Sequence, residues 1–192
     1  MIEDKDKEQE LLEKIIYGDI SAMRDFYNNY SGYFTTVCSR YISNRDDIKD
    51  VLQESFIKIF KSITGFEYKG TGSLRAWSTR IVVNESLKFL KKSEKLNIVN
   101  SPAWNLPDIV EEEEEADFDE TPTSVILEMI RSLPIGYRTV FNLYVFEKKT
   151  HKEIASILDI TENTSASQLH RAKSLLAKQI SGYRRSIKRM ES

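Results

Sequence analysis

Apolar residues between Leu11 and Leu90 recur mostly at intervals of three and four, which is the spacing of amphipathic helices. The clearest stretch is Ile48, Val51, Leu52, Phe56 and Ile59. A glycine-rich segment, residues 69–73, interrupts the pattern, and Ser73 is a suitable N-cap for a last helix ending near Lys92. We therefore predict a small helical bundle, of about four helices, in residues 1–92.

The helical pattern stops between residues 93 and 122. This segment contains Pro102, Pro107 and an unbroken glutamate run from Glu111 to Glu115, so it has too little apolar surface to bury. We predict a flexible acidic linker at residues 93–122. Helical spacing resumes at Val125, which predicts a second small helical domain at residues 123–192. The expected fold class is all-α, since no strand pattern is visible.

The formal net charge of −2 hides an uneven distribution. Residues 1–100 hold 16 Lys/Arg against 15 Asp/Glu, residues 101–124 hold 0 against 9, and residues 125–192 hold 12 against 6. A basic C-terminal part of this kind suits a phosphate-bearing partner.

Other features narrow the class of protein. No apolar run approaches the ~18 residues of a membrane span, and the charged N-terminus lacks the apolar segment of a secretory signal. We therefore expect a cytoplasmic protein. Cys38 is the only cysteine, which excludes an internal disulfide and a multi-cysteine metal site.

The second domain contains a candidate helix-turn-helix. Thr150-His-Lys-Glu153 has the form of a capping box, which predicts a helix to about Leu158, and Thr161 would cap the next helix. On that second helix one face carries Ser165, Leu169, Ala172 and Leu176, whereas the opposite face is polar, with Ser167, His170, Arg171 and Ser174, and with Gln168 flanking. Arg171 and Gln168 could read base edges, and Lys173 could meet phosphate. An ordinary amphipathic helix with a solvated face fits the same pattern.

Two polar surfaces are predicted in the first domain. Asp50, Gln53 and Glu54 lie together opposite an apolar stripe. On the last helix, one face presents an aromatic ring, an amide and three cations: Trp77, Arg80, Asn84, Lys88 and Lys91. Such a face suits the phosphates and unstacked bases of a single strand. From the pattern alone, both surfaces could also be plain solvated helix faces, with Trp77 in the core.

The second domain resembles the DNA-binding C-terminal domain of extracytoplasmic-function (ECF) sigma factors, members of the sigma-70 family. The matching residues are Leu133-Pro134, Glu153-Ile154-Ala155, Thr164, Ser167 and Arg171-Ala172. The resemblance implies that the second helix enters the major groove of the −35 promoter element. Carried over by position, its DNA contacts are Ala166, Ser167, Gln168, His170, Arg171 and Lys173. The chain departs from the family at Ser165, usually aliphatic, and at Ala166, commonly Lys or Arg.

The first domain resembles the same family. Residues 46–60 are similar to the segment that docks on the clamp helices of the largest polymerase subunits, which implies that Asp50, Gln53 and Glu54 contact core RNA polymerase. Residues 73–84 resemble the promoter-melting segment, in which a preceding loop, here residues 66–73, captures a base flipped from the −10 element. The implied −10 contacts are Trp77, Arg80, Asn84, Lys88 and Lys91.

The resemblance implies a sigma factor that binds core RNA polymerase and promoter DNA and directs melting and transcription initiation. It also implies an anti-sigma factor as a partner, which in this family is often membrane-bound. We expect no catalytic residue, cofactor or metal site, since there is no glycine-rich phosphate loop and His151 and His170 lie on different predicted helices. Two alternatives remain: a helix-turn-helix regulator that binds duplex DNA without core polymerase, and a helical interaction module with no nucleic-acid role.

Overall fold

The structure, a computed structural model, describes residues 6–93 and 121–190. All regular secondary structure in these residues is helical, which confirms the predicted all-α class. The chain divides into two compact units, Met1–Lys92 and Ser93–Ser192. Most of the predicted linker, residues 94–120, lies outside the described residues.

The first unit contains four α-helices and one short 3₁₀ turn. They are α1 (Lys7–Ile16), α2 (Ile20–Ser39), α3 (Arg45–Ser62), the 3₁₀ turn Ile63–Gly65, and α4 (Ser73–Lys92). The first three begin at polar caps, because the side chains of Asp6, Asp19 and Asn44 accept hydrogen bonds from backbone N–H groups of the first helical turn. The last helix has the predicted bounds, but Ser73 is its first residue and not its N-cap, since the Ser73 hydroxyl accepts from the Lys69 N–H of the preceding loop at 3.2 Å.

Aromatic packing forms the core of this unit. The rings of Phe26 and Phe34 on α2 are fully buried, and their centroids lie 6.2 and 5.7 Å from the ring of Phe56 on α3. Helix α4 packs on both α2 and α3 and contributes buried Leu74, Val82 and Leu90. Each of the three helices therefore has an inner face packed in the core, and α3 and α4 also have an outer face that is exposed.

The second unit contains α5 (Thr123–Ser132), α6 (Ile135–Val145), α7 (His151–Leu158) and α8 (Glu162–Met190). The long helix α8 packs against the other three. The core of this unit is mostly aliphatic, with Val140, Leu143, Ile154, Ala172 and Leu176 almost fully buried. Among the described residues, no helix of either unit is both long enough and apolar enough to cross a membrane.

Local signals between α6 and α8 build the helix-turn-helix as predicted. The Thr150 side chain accepts a hydrogen bond from the Glu153 N–H at 3.2 Å, and the Glu153 carboxylate accepts one from the Thr150 N–H at 2.9 Å, which completes the capping box. Asp159 ends α7 in the left-handed region, at φ 58°. Thr161 then caps α8, because its Oγ1 accepts from the Thr164 N–H at 3.0 Å.

The capping box predicts a stability change confined to the second unit. Thr150→Ala should lower its free energy of unfolding by about 1 kcal/mol, because the Glu153 N–H loses its acceptor. Urea unfolding followed through amide NMR signals of the second unit measures the change. Ser156→Ala, at an exposed interior position of α7, is the matched control and should cause no loss.

The capping box also predicts an acid dependence. Hydrogen bonds from the Lys149 ammonium and from Thr150 lower the pKa of Glu153 from 4.5 to about 2. Because the folded pKa is depressed, the contribution of Glu153 is complete above its unfolded pKa and is lost as the pH falls through the folded one. Glu153→Gln should flatten the decline of the second unit's stability between these two values, measured in the same urea titrations. An unchanged decline would contradict this assignment.

Candidate nucleic-acid interface

A polar stripe runs along the outer face of α4. Arg80, Asn84, Lys88 and Lys91 are all exposed, at intervals of three and four. Trp77 lies at the head of the stripe and is half-buried, with its ring centroid 4.9 Å from that of Phe66. The structure therefore brings together all five residues predicted on this helix. Trp77 is therefore partly a core residue and partly a surface residue, since one part of its ring packs on Phe66 and another part is accessible.

The only acid on α4, Glu85, is largely buried beneath this stripe and is paired with one of its cations, Lys88. Its side chain is largely buried and accepts from the Lys58 ammonium of α3 at 2.7 Å, while Lys88 lies 3.5 Å away. Burial acts to raise the pKa of Glu85, but the hydrogen bond and charge of Lys58, with the charge of Lys88, outweigh it, and the pKa lies below its ordinary value. The carboxylate is therefore ionised and joins α3 to α4 beneath the exposed cations.

The loop of residues 66–73 leads into α4. Gly70 and Gly72 have φ values of 107° and 85°, a conformation that side-chain-bearing residues rarely adopt. A Cβ added at either position would meet nothing within 4 Å, so the backbone turn, and not lack of space, explains both glycines.

Two carboxylates from the start of α1 hold this loop. Asp6 accepts hydrogen bonds from the hydroxyls of Tyr68, at 2.5 Å, and Thr71. Glu8 accepts from the backbone N–H groups of Gly72, at 2.6 Å, and Arg75, at 3.3 Å. We call Asp6 and Glu8 the carboxylate clasp. No local sequence pattern predicts it, because the bonded residues lie more than sixty positions apart in the chain.

A second polar surface lies on α3. Asp50, Gln53 and Glu54 are all exposed and neighbour one another on the same side of the helix. Ile57 follows on that side, three residues after Glu54, and is 39% exposed. The surface therefore combines two carboxylates and an amide with one accessible apolar side chain. The sequence pattern does not identify Ile57 as part of this surface, because its spacing fits the buried stripe almost as well.

On α8, four of the six predicted DNA contacts are exposed and one is half-buried. Ala166, Ser167, His170 and Lys173 are accessible, whereas Arg171 is partly covered. Gln168 is different, because its side chain is only 4% exposed and packs towards Gly136 of α6. The expectation that Gln168 flanks the outer face was therefore wrong. It lies three residues after Ser165 and four before Ala172, which places it on the buried ridge.

The polar residue Ser165 has a structural partner in the core of the second unit. It is fully buried, and its Oγ lies 2.9 Å from Nδ1 of His151, the first residue of α7. The His151 ring in turn stacks on Tyr144 of α6, with 4.9 Å between centroids. A hydroxyl where an aliphatic side chain is usual is thus satisfied by a hydrogen bond between the two helices of the helix-turn-helix.

Within the described residues, no group of three or more His, Cys, Asp and Glu side chains is arranged to hold a metal ion. The Cys38 thiol is buried and lies 3.5 Å from the Ser86 hydroxyl. Burial raises the pKa of Cys38 to about 11, so it is a protonated core residue.

Known proteins similar to this chain match it over both units. Residues 26–96 match the Sigma-70 region 2 family and residues 124–176 match the Sigma-70 region 4 family. The chain is 30% identical over 183 residues to the ECF RNA polymerase sigma-E factor of Haemophilus influenzae, covering 90% of this chain and 95% of that protein. It is 27% identical over 147 residues to the RNA polymerase sigma factor SigV of Bacillus subtilis, covering 77% and 84%.

Among solved structures, CnrH in complex with the cytosolic domain of CnrY aligns with 92% of this chain and 99% of that chain, at a TM-score of 0.49 and 16% identity.

The family matches in both units and the near full-length relatives all belong to one class of protein. The chain therefore belongs to the ECF sigma factors of the sigma-70 family and directs promoter-specific transcription initiation with RNA polymerase.

Proposed function

We propose that the two units bind different targets. Residues 1–92 form the sigma region 2 domain, which binds core polymerase and the −10 element, and residues 123–192 form the sigma region 4 domain, which binds the −35 element. Residues 93–122 connect them. The two elements lie ~58 Å apart, for ~17 base pairs at ~3.4 Å each, and a connector of ~30 residues can span up to ~100 Å. Its length is therefore adequate.

The exposed surface of α3 is the proposed contact with core polymerase. Asp50, Gln53 and Glu54 offer charge and hydrogen bonds to a complementary partner surface, which favours fast and selective association. Ile57 supplies the apolar area that the centre of a stable interface usually requires. No other exposed face of α3 combines these features in the described residues, since the opposite side packs on α2 and α4.

Gln53→Ala combined with Glu54→Lys should weaken binding to core polymerase by tenfold or more, roughly the effect of losing one interfacial hydrogen bond and reversing one charge. Competition binding of the labelled full-length protein to core polymerase measures the change. Gln9→Ala combined with Glu10→Lys makes the same chemical changes on α1 and should leave core affinity unchanged. Equal affinity of the Gln53/Glu54 variant and wild type would reject this surface.

The stripe on α4 is the single observation that best supports the proposed role of the first unit. A melted strand offers phosphates to cations and unstacked base faces to aromatic rings and amides. The outer face of α4 carries these three groups in one line, in Arg80, Trp77 and Asn84, and its one acid is turned inward and paired. The adjoining loop of residues 66–73 is the proposed site that receives a flipped base. Holding the base requires a pocket in the protein and no catalytic group.

Asn84→Ala should reduce open-complex formation roughly 5- to 100-fold, the cost of one good base contact, while core affinity is unchanged. Permanganate footprinting of the melted strand, with holoenzyme at saturating core, measures it. Asn29→Ala removes an exposed amide from α2 and serves as the matched control. A normal footprint with the Asn84 variant would remove this residue from the interface.

In the second unit, α8 is the proposed recognition helix. Ala166, Ser167, His170 and Arg171 are the proposed base readers, and Lys173 the proposed phosphate contact, since all five have accessible surface. Gln168 is not among the readers. The hydrogen bond between His151 and Ser165 supports this role indirectly, because it fixes α8 against α7. The proposed −35 recognition thus depends on a rigidly held helix with a mostly small and neutral reading face.

Beyond these surfaces, we propose a mechanism without catalysis, a location and one further partner for the protein. Binding energy from these three surfaces opens the DNA, and no covalent step is assigned to this chain, so we propose that it is not an enzyme. The cytoplasm, where polymerase and promoter DNA meet, is its proposed location. An anti-sigma factor, including one anchored in a membrane, is a further proposed partner, in line with the family resemblance.

A further inference from the structure

The carboxylate clasp connects four parts of the first unit: α1, α2, the loop of residues 66–73 and α4. Besides the loop, Asp6 accepts from the Glu8 N–H at 3.1 Å as the cap of α1, and Glu8 accepts from the Tyr30 hydroxyl of α2 at 3.1 Å. Six donors from α1, α2, the loop and α4 therefore converge on two carboxylates. Because charged acceptors make stronger hydrogen bonds than neutral ones, this is a firm attachment.

Glu8 lies at the N-terminus of α4. The N–H groups of Gly72 and Arg75 belong to the set that has no acceptor inside the helix, and the positive end of the helix dipole favours a carboxylate there. The carboxylate thus fixes both the start of α4 and the last turn of the loop. Arg75 is held from a second side, since its guanidinium lies over the Tyr33 ring of α2, at 5.7 Å.

The clasp is hydrogen-bonded to the aromatic core through Tyr30. The Tyr30 ring, whose hydroxyl donates to Glu8, stacks on Phe34 at 5.7 Å and lies 4.7 Å from Phe26. Burial, with the negative charge of Glu8, raises the pKa of Tyr30 to about 12, so the phenol remains a donor at any physiological pH. The loop is therefore connected through Glu8 and Tyr30 to the aromatic core of the unit.

The loop depends on this attachment. Its two glycines at positive φ are conformationally permissive, and the hydrogen bonds inside it are local: the Ser73 N–H donates to the Gly70 carbonyl at 3.0 Å and the Lys69 N–H donates to the Ser73 hydroxyl at 3.2 Å. Without Asp6 and Glu8, the loop would have to be ordered each time a base enters it. With them, that ordering is complete when the protein folds, and less of the binding energy of the base is lost.

We propose that Asp6 and Glu8 are positioning residues for promoter melting, which hold the loop of residues 66–73 in the conformation that receives an unpaired base. The inference rests on the proposed role of this loop. Neither carboxylate touches DNA in this proposal. If Asp6 and Glu8 act only by positioning the loop, loss of the clasp impairs capture of the base and leaves core docking and duplex DNA binding unchanged.

The test uses holoenzyme reconstituted from the full chain and core polymerase, on a promoter identified by run-off transcription. Two fork-junction probes are compared, one with the unpaired −10 base present and one with an abasic site in its place. The ratio of the two affinities isolates base capture. Wild-type holoenzyme should prefer the base, and Asp6→Ala with Glu8→Ala should reduce that preference about tenfold, because ordering of the loop again opposes capture.

Glu10→Ala with Glu13→Ala is the matched control, since it removes two negative charges from the same helix and leaves the six hydrogen bonds of the clasp in place. It should keep the wild-type ratio. Asp6→Asn with Glu8→Gln, which retains one carbonyl acceptor at each position, should give an intermediate ratio. If the double alanine variant does not fold, Tyr68→Phe with Thr71→Val removes two donors from the loop side and should lower the ratio in the same direction.

The possible failures are distinguishable. A wild-type protein without preference for the base would contradict base capture by the loop, and the role of the clasp with it. A clear wild-type preference that the folded double alanine variant retains would overturn the clasp alone. A loss of core affinity equal to the loss of base preference would identify Asp6 and Glu8 as general structural residues and would also overturn the proposal.

Discussion

The first unit depends on the burial of one side of α4 against α2 and α3. Val82 and Leu90 are in the core with the aromatic cluster of α2 and α3, and even the polar Ser86 is fully buried beside Cys38. In a helix, residues at intervals of three and four share a face, so a fixed inner face determines the outer one. The line from Trp77 to Lys91 lies on the outer side of α4 for this reason, half-buried at Trp77 and exposed at the other four residues. The packing of the inner face is therefore sufficient to place these five residues on the same side of α4.

Polar contacts then connect the surfaces that packing has created. Glu85 is paired with Lys58 of α3 and with Lys88 of α4, so the helix proposed to bind polymerase and the helix proposed to bind the melted strand share an ion pair at their junction. The clasp performs a similar connection between α1 and the loop of residues 66–73. A sigma factor must hold its partner and its DNA at the same time. In this unit, both proposed binding surfaces lie on helices that pack into one core.

Local sequence signals predicted the elements well and distant contacts poorly. Ser73 and Lys92 were correct as the bounds of α4, and the Thr150 capping box and the Thr161 cap were correct, because caps depend on residues within four positions of each other. Gln168 was misplaced because its amide suggested a surface residue, although its spacing from Ser165 and Ala172 places it on the buried ridge. The clasp was missed for a physical reason: it joins residues that become neighbours only after α1 packs on α2.

The central claim is that this chain confers promoter-specific initiation on core RNA polymerase. Reconstitution with purified core and run-off transcription on genomic fragments, including the region upstream of the chain's own gene, tests it most directly. The account predicts stable association with core and discrete transcripts that core alone does not produce. A chain that fails to bind core, or a transcript pattern identical to that of core alone, would contradict it.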